Sequence, residues 1–209
     1  MEFSEKQVQI METAEILFAE KGFNGTSVRD ISEKAGVNLA MVSYYFGSKE
    51  KLFESLFDFR SEAMKVKLET LVGRSDLSAM EKVNLLIDNY IEKILSQQCF
   101  HRILAREQVV NNSMATADLI MEMKKRNMEL IGKLIHEGQR KGEFRKGIDV
   151  PMMMTTLIGT AHHLVTTKHY YRVLNNLEDL TEEDLEKHLR KKLTSHLKFL
   201  FKAILTHEA

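Results

Sequence analysis

Between Thr26 and Leu52, in TSVRDISEKAGVNLAMVSYYFGSKEKL, two short apolar patterns at helical spacing are each cut off by a glycine, and a third, longer one follows at once. No other stretch narrows the possible folds as much. Ser27 is placed to cap the first short helix, with Asp30 near the positive helix end and Ile31 and Ala35 four apart on one apolar face. Gly36 tolerates the left-handed backbone of a sharp helix exit, and Val37 is the kind of apolar residue that plugs the angle between two crossed helices. Asn38 is placed to cap the second helix. Within Leu39 to Phe46, Val42 and Phe46 lie four apart and hold that helix on its support. Leu39, Ala40, Ser43, Tyr44 and Tyr45 are left facing outward or along the edge, and two adjacent exposed tyrosines on so short a helix need a partner.

The rest of the chain reads as helix throughout, so the expected fold class is all-α, with about nine helices. Ser4-x-x-Gln7 is a capping box that starts the first helix, which Gly22 ends. A long helix begins behind Gly47-Ser48 and runs through Leu56 and Val66 to Gly73, and Ser78-x-x-Glu81 opens the next. The chain's one proline, Pro151, follows Asp149 and Val150 and marks a helix start, because its fixed φ and missing N–H suit a first turn. That helix is expected to continue to Tyr170-Tyr171, and a last helix from Thr181 carries the seam Leu185, Leu189, Leu193, Leu197, Leu200 and Ile204. Residues 1–47 are expected to form one domain and 48–209 a second.

Two short helices joined by a tight turn are the grammar of a helix-turn-helix reader of DNA. The run Gly22-Phe23, Thr26-Ser27-Val28, Asp30-Ile31, Ala35-Gly36-Val37, Tyr44-Tyr45-Phe46, Lys49-Glu50 and Leu52 resembles the N-terminal signature of TetR-type transcriptional regulators, which are usually repressors. Two positions depart from the commonest pattern: Ala40 stands where glycine is frequent and Ser43 where tyrosine is frequent. Motif position gives the expected DNA contacts as Thr26, Ser27, Arg29, Asn38, Leu39, Ala40, Ser43, Tyr44, Tyr45 and Lys49. Thr26 and Ser27 open a helix whose free N–H groups suit phosphate, as do Tyr44 and Lys49, while Arg29 and Ser43 are the candidates for base edges.

Charge constrains this reading. Lys and Arg number 30 and Asp and Glu 30, so the net charge is zero, and bulk positive charge cannot hold nucleic acid. Through Lys51 the acids Glu2, Glu5, Glu12, Glu15, Glu20, Asp30, Glu33 and Glu50 outnumber the bases Lys6, Lys21, Arg29, Lys34, Lys49 and Lys51. DNA binding must then rest on a few well-placed donors on one face, with acids turned away from phosphate.

The two last long helices are apolar along faces too wide for one neighbour. The resemblance implies that they form a four-helix bundle with a second copy, spacing two readers for successive major grooves of a palindromic operator. The alternative is that they close the monomer core. The resemblance also implies a small-molecule effector within the C-terminal helices that shifts the readers off their operator. Met114, Met121, Met123, Met128 and Met152 to Met154 serve either as core filler or as the lining for a largely apolar ligand.

Other chemistries find little support. His162 and His163 point about 100° apart on a helix and cannot easily share a metal, and no nucleophile elbow, phosphate loop or paired carboxylates stand out, so neither catalysis, a metal nor a cofactor is expected. A lone cysteine, Cys99, excludes an intrachain disulfide, and no run of eighteen apolar residues or signal core is present, which leads us to expect a cytoplasmic protein without a membrane segment. The competing function is a small-molecule-binding or protein-interaction module of the same fold that has lost sequence-specific DNA reading, a possibility raised by the neutral charge and by Ala40 and Ser43.

Overall fold

A computed structural model describes residues 3–110 and 114–206. Among them the chain forms ten helices and no strand: α1 Glu5–Lys21, α2 Val28–Ala35, α3 Leu39–Phe46, α4 Lys49–Gly73, α5 Ala79–Ser96, α6 Gln98–Val110, α7 Met114–Arg140, α8 Val150–Thr166, α9 Lys168–Leu174 and α10 Glu182–Thr206. The start signals are used as the sequence writes them. Ser4, Ser27 and Ser78 each accept a hydrogen bond from the amide three residues on, in complete capping boxes, and the Asp149 side chain caps α8 ahead of Pro151.

The extra helix comes from a break that the apolar pattern does not show. Thr167, at φ −106° and ψ 23°, ends α8 before the short α9 begins. The amide and hydroxyl of Thr167 and the hydroxyl of Thr166 all donate to the carbonyl of His163, and the Thr166 hydroxyl also donates to His162. Such back-bonding competes with the backbone ladder and bends or ends a helix.

The chain divides into two compact units: the described residues of Met1–Val66 with Gln98–Lys125, and of Lys67–Gln97 with Arg126–Ala209. A cut after residue 47 therefore does not follow the packing. The first half of α4 buries Leu52, Phe53, Leu56 and Phe57 in the core of the first unit, while Leu68 and Leu71 join the core of the second. Phe100 and Ile103 of α6 and Ile120 of α7 return to the first core.

That first core is aromatic at its centre: Phe18, Phe23 and Phe53 stand with ring centroids 5.3–5.6 Å apart, and Phe57 meets Phe100 at 5.4 Å. Beside them the buried Glu15 carboxylate accepts two hydrogen bonds from Arg60, at 2.9 and 2.6 Å, and so locks α1 to α4. In the second unit α10 packs on α5 and α8 through Leu185, Leu189, Leu193, Leu197, Phe201 and Leu205. The seam keeps its four-residue step past Leu197, so Phe201 and Leu205 replace the expected Leu200 and Ile204. Lys82 is buried there, its ammonium donating to Val72 O at 3.0 Å and to the Glu137 carboxylate at 2.9 Å. Pairing of this kind is what a buried ammonium requires.

Candidate nucleic-acid interface

The reader is built from α2 and α3 braced on α1. At the exit of α2, Gly36 takes a left-handed conformation, φ 63° and ψ 35°, and the Val37 amide bonds back to Ser32 O at 3.0 Å. Gln9 of α1 donates to Ala35 O at 3.0 Å and fixes that end. Asn38 Oδ1 then accepts from the Ala40 amide at 2.9 Å and starts α3, on which Val42 and Phe46 are buried.

The opposite face of α3 lies open. Tyr44 is 84% exposed, Leu39 42%, and Ala40 and Ser43 are exposed beside them. Tyr45 is half-buried and packs against the core edge, with its ring 5.3 Å from Tyr44 in an edge-on arrangement. Met41 belongs to the exposed set as well, and the sequence reading passed over it. Its place three residues before Tyr44, on the same side of the helix, is the signal that would have found it. Leu39 and Met41, flanking the open face on opposite sides, suit contact with thymine methyls, the serine hydroxyl suits base edges, and the phenol is a donor for phosphate.

The start of α2 has a different character. Ser27 and Asp30 satisfy each other: Ser27 Oγ accepts from the Asp30 amide at 3.1 Å, while the Asp30 carboxylate accepts from the Ser27 amide at 2.8 Å and from its hydroxyl at 2.6 Å. Those bonds from Ser27, with Lys21 nearby at 3.6 Å, hold the Asp30 carboxyl below its ordinary range. An anion approaching this helix end meets a carboxylate already seated there. The Thr26 side chain is buried, and its hydroxyl donates to Leu17 O and Gly22 O at 3.2 and 2.9 Å. Lys49 also points inward, donating to Phe23 O at 2.9 Å and Thr26 O at 3.0 Å. Arg29 is exposed on α2.

The acids that outnumber bases in this segment are largely engaged. Glu12 and Glu15 face Arg60 at 3.6 and 2.6 Å, and Glu20 faces Lys34 at 3.7 Å. What remains outward on α3 is uncharged, which fits recognition by shape and hydrogen bonding more than by bulk charge.

For the other chemistries, no group of three or more His, Cys, Asp or Glu that could hold a metal exists among the described residues, and no helix there is long and apolar enough to cross a membrane. His162 is half-buried and His163 exposed.

Comparison with known proteins places this geometry. The family model described as "Bacterial regulatory proteins, tetR family" matches residues 10–56, which contain the whole helix-turn-helix, and "Tetracyclin repressor-like, C-terminal domain" matches residues 80–195. The chain is similar to the probable HTH-type transcriptional regulator YttP of Bacillus subtilis, 34% identical over 139 residues that span 65% of this chain and 66% of that one. It is also similar to the fatty acid metabolism regulator protein of the same organism, 25% identical over 162 residues covering 78% and 82% of the two chains. Its fold matches that of ketosteroid transcriptional regulator KstR2 of Mycobacterium tuberculosis, with a TM-score of 0.73 over 99% of this chain and 98% of that one at 20% identity. The helix-turn-helix signature, the all-helical C-terminal part and these matches agree: the chain belongs to the TetR family of DNA-binding transcription regulators, which are not enzymes.

Proposed function

We propose that this protein is a homodimeric repressor that reads a palindromic operator with one α3 per half-site and is released by a largely apolar small molecule. The observation that carries the reading is the face of α3, where Tyr44 stands 84% exposed, its ring resting edge-on against the half-buried Tyr45. Tyr44 donates to phosphate. Ser43 and Arg29 reach base edges, Leu39, Ala40 and Met41 lie against the groove floor, and Asn38 and Ser27 set the starts of their helices.

Dimerisation through α8 and α10 is supported by apolar surface left open on both. Met152 is 62% and Ile158 42% exposed on α8, and Phe199 is 76% exposed on α10. Gly159 adds a second sign. A Cβ there would meet nothing within 4 Å among the described residues, so no described neighbour demands a mid-helix glycine that costs about 1 kcal/mol against alanine. Close approach of a partner helix supplies the reason.

We assign the effector to the second unit, whose core holds the adaptable side chains Met153 and Met154 with the partly buried Met128 packed against it. The name of the fatty acid metabolism regulator relative points to acyl compounds, and a FadR structure from Bacillus subtilis, of similar fold, was solved with stearoyl-CoA. The test is binding of the full-length protein to the DNA upstream of its own gene, followed by titration with long-chain acyl-CoA. A protected palindrome and loss of the complex on adding acyl-CoA support the proposal. Enrichment of no motif from random DNA overturns it in favour of a binding module without DNA reading.

A further inference from the structure

Carbonyls of the loop between α1 and α2, and of the last turns of α1 that lead into it, are supplied with side-chain donors from three directions. Gly22 turns the chain at φ 79°, and the Thr26 hydroxyl donates to Leu17 O and Gly22 O. Arg106 of α6 donates to Glu20 O at 3.2 Å, and its guanidinium fills the space a Cβ on Gly22 would need, with Nε 2.8 Å from that position. Lys49 completes the set. Its ammonium donates to Phe23 O at 2.9 Å and Thr26 O at 3.0 Å and lies 4.4 Å from the centroid of the Phe23 ring.

We propose that Lys49 is a positioning residue of the reader, which fixes the loop before α2 from the first turn of α4, and that it does not contact phosphate. The inference rests on the DNA-reading function proposed above and deepens it. An ammonium has three N–H donors; two carbonyls and an aromatic face account for this one. Turning it to a phosphate would take this donor from Thr26 O and leave Phe23 O to the longer bond from the Thr26 amide, at 3.3 Å. Its place in the helix argues the same way, because a cation in the first turn lies at the unfavourable end of the macrodipole and gains only where its charge is aimed at acceptors elsewhere. Here the acceptors belong to Phe23, which is buried in the aromatic core, and to Thr26, which immediately precedes the cap of α2. Lys49 therefore sets where α2 begins, and through it where Arg29 and α3 lie.

The experiment compares the full-length wild type with Lys49→Met and Lys49→Arg. Hydrogen exchange without DNA is followed at the Gly22 and Thr26 amides, which bond to Phe18 O at the end of α1 and to Phe23 O in the loop. Operator affinity is measured across a range of salt concentrations. For Lys49→Met the expected result is exchange at those two amides faster by about tenfold, with the α3 amides unchanged, and operator affinity lower by about tenfold. Lys49→Arg keeps the charge but not the compact donor geometry, so it also loosens the loop and weakens binding. The opposite pattern overturns the proposal: unchanged loop exchange in both variants, wild-type affinity for the arginine variant, and a salt slope shallower by about 1.8 for the methionine variant, one phosphate per subunit. Should the methionine variant not fold, the arginine variant decides by the same two readings. The exchange measurement needs no DNA, so it stands even if the wild type binds no operator, which would count against the function proposed above and not against the loop anchor.

Discussion

Replacing Tyr44 by alanine should cut operator binding deeply while leaving the folded protein almost untouched. The side chain is 84% exposed, so truncation leaves no cavity in the core. The loss is its edge-on contact with Tyr45, at 5.3 Å, an exposed aromatic pair worth about 0.5–1 kcal/mol. Against this, alanine is the better helix former by about 0.5 kcal/mol. The two nearly cancel, and denaturant unfolding should move by less than about 0.5 kcal/mol. Binding is a different sum. A hydrogen bond from the phenol to a charged phosphate contributes about 1.5–3 kcal/mol, and a dimer makes it twice, so the loss is about 3–6 kcal/mol, or more than about a hundredfold in affinity. Because tyrosine is neutral, the slope of affinity against salt should not change, whereas loss of a lysine or arginine contact would reduce it. Fluorescence anisotropy with labelled operator at several salt concentrations, run beside urea unfolding, reads all three quantities. Affinity within threefold of wild type, or unfolding shifted by more than about 2 kcal/mol, would show that Tyr44 is not a free recognition residue.

Three further predictions follow from the geometry. Phe199→Asp puts a charge on a face that is open in the single chain, so the helical content should be kept while sedimentation shows the dimer replaced by monomer and operator binding lost with it. Gly138→Ala places a Cβ 2.2 Å from the ring of the buried Phe144, and denaturant unfolding should show about 1–3 kcal/mol of destabilisation as the ring is displaced. Asp30→Asn should be less stable than wild type at neutral pH. The Asp30 carboxyl is held below its ordinary value of 3.8 when folded, so its contribution is fully present above that value and disappears as pH falls through the lower folded one. Thermal melts of the two proteins should therefore converge in acid, and a constant gap down to the lowest pH would contradict the capping account.

The helix-turn-helix, the caps and the family were legible in the sequence because they depend on residues within a few positions of one another. Ser27 with Asp30, Gly36 with Val37, and Val42 with Phe46 act over one or two turns, and their chemistry is the same in any fold that contains the segment. The exposure of Tyr44 belongs to this class, since the helical period places it opposite the buried pair. The division of the chain did not, because it depends on which sequence-distant helices pack together. Phe100, Ile103 and Ile120 return to the first core from the middle of the chain, and α4 is shared between two cores along its length.

The same limit applies to the site. Thr26 and Lys49 stand at positions that suit phosphate when only the linear motif is read. Whether a hydroxyl or an ammonium faces outward is set by which carbonyls lie within reach, and these came from Leu17, Gly22 and Phe23, with Arg106 closing the loop from α6. Local order thus determined what the reader is, through capping and helical period. Tertiary structure alone decided which of its polar groups are already bonded within the chain, because burial and hydrogen-bond satisfaction depend on neighbours that the chain brings from far away.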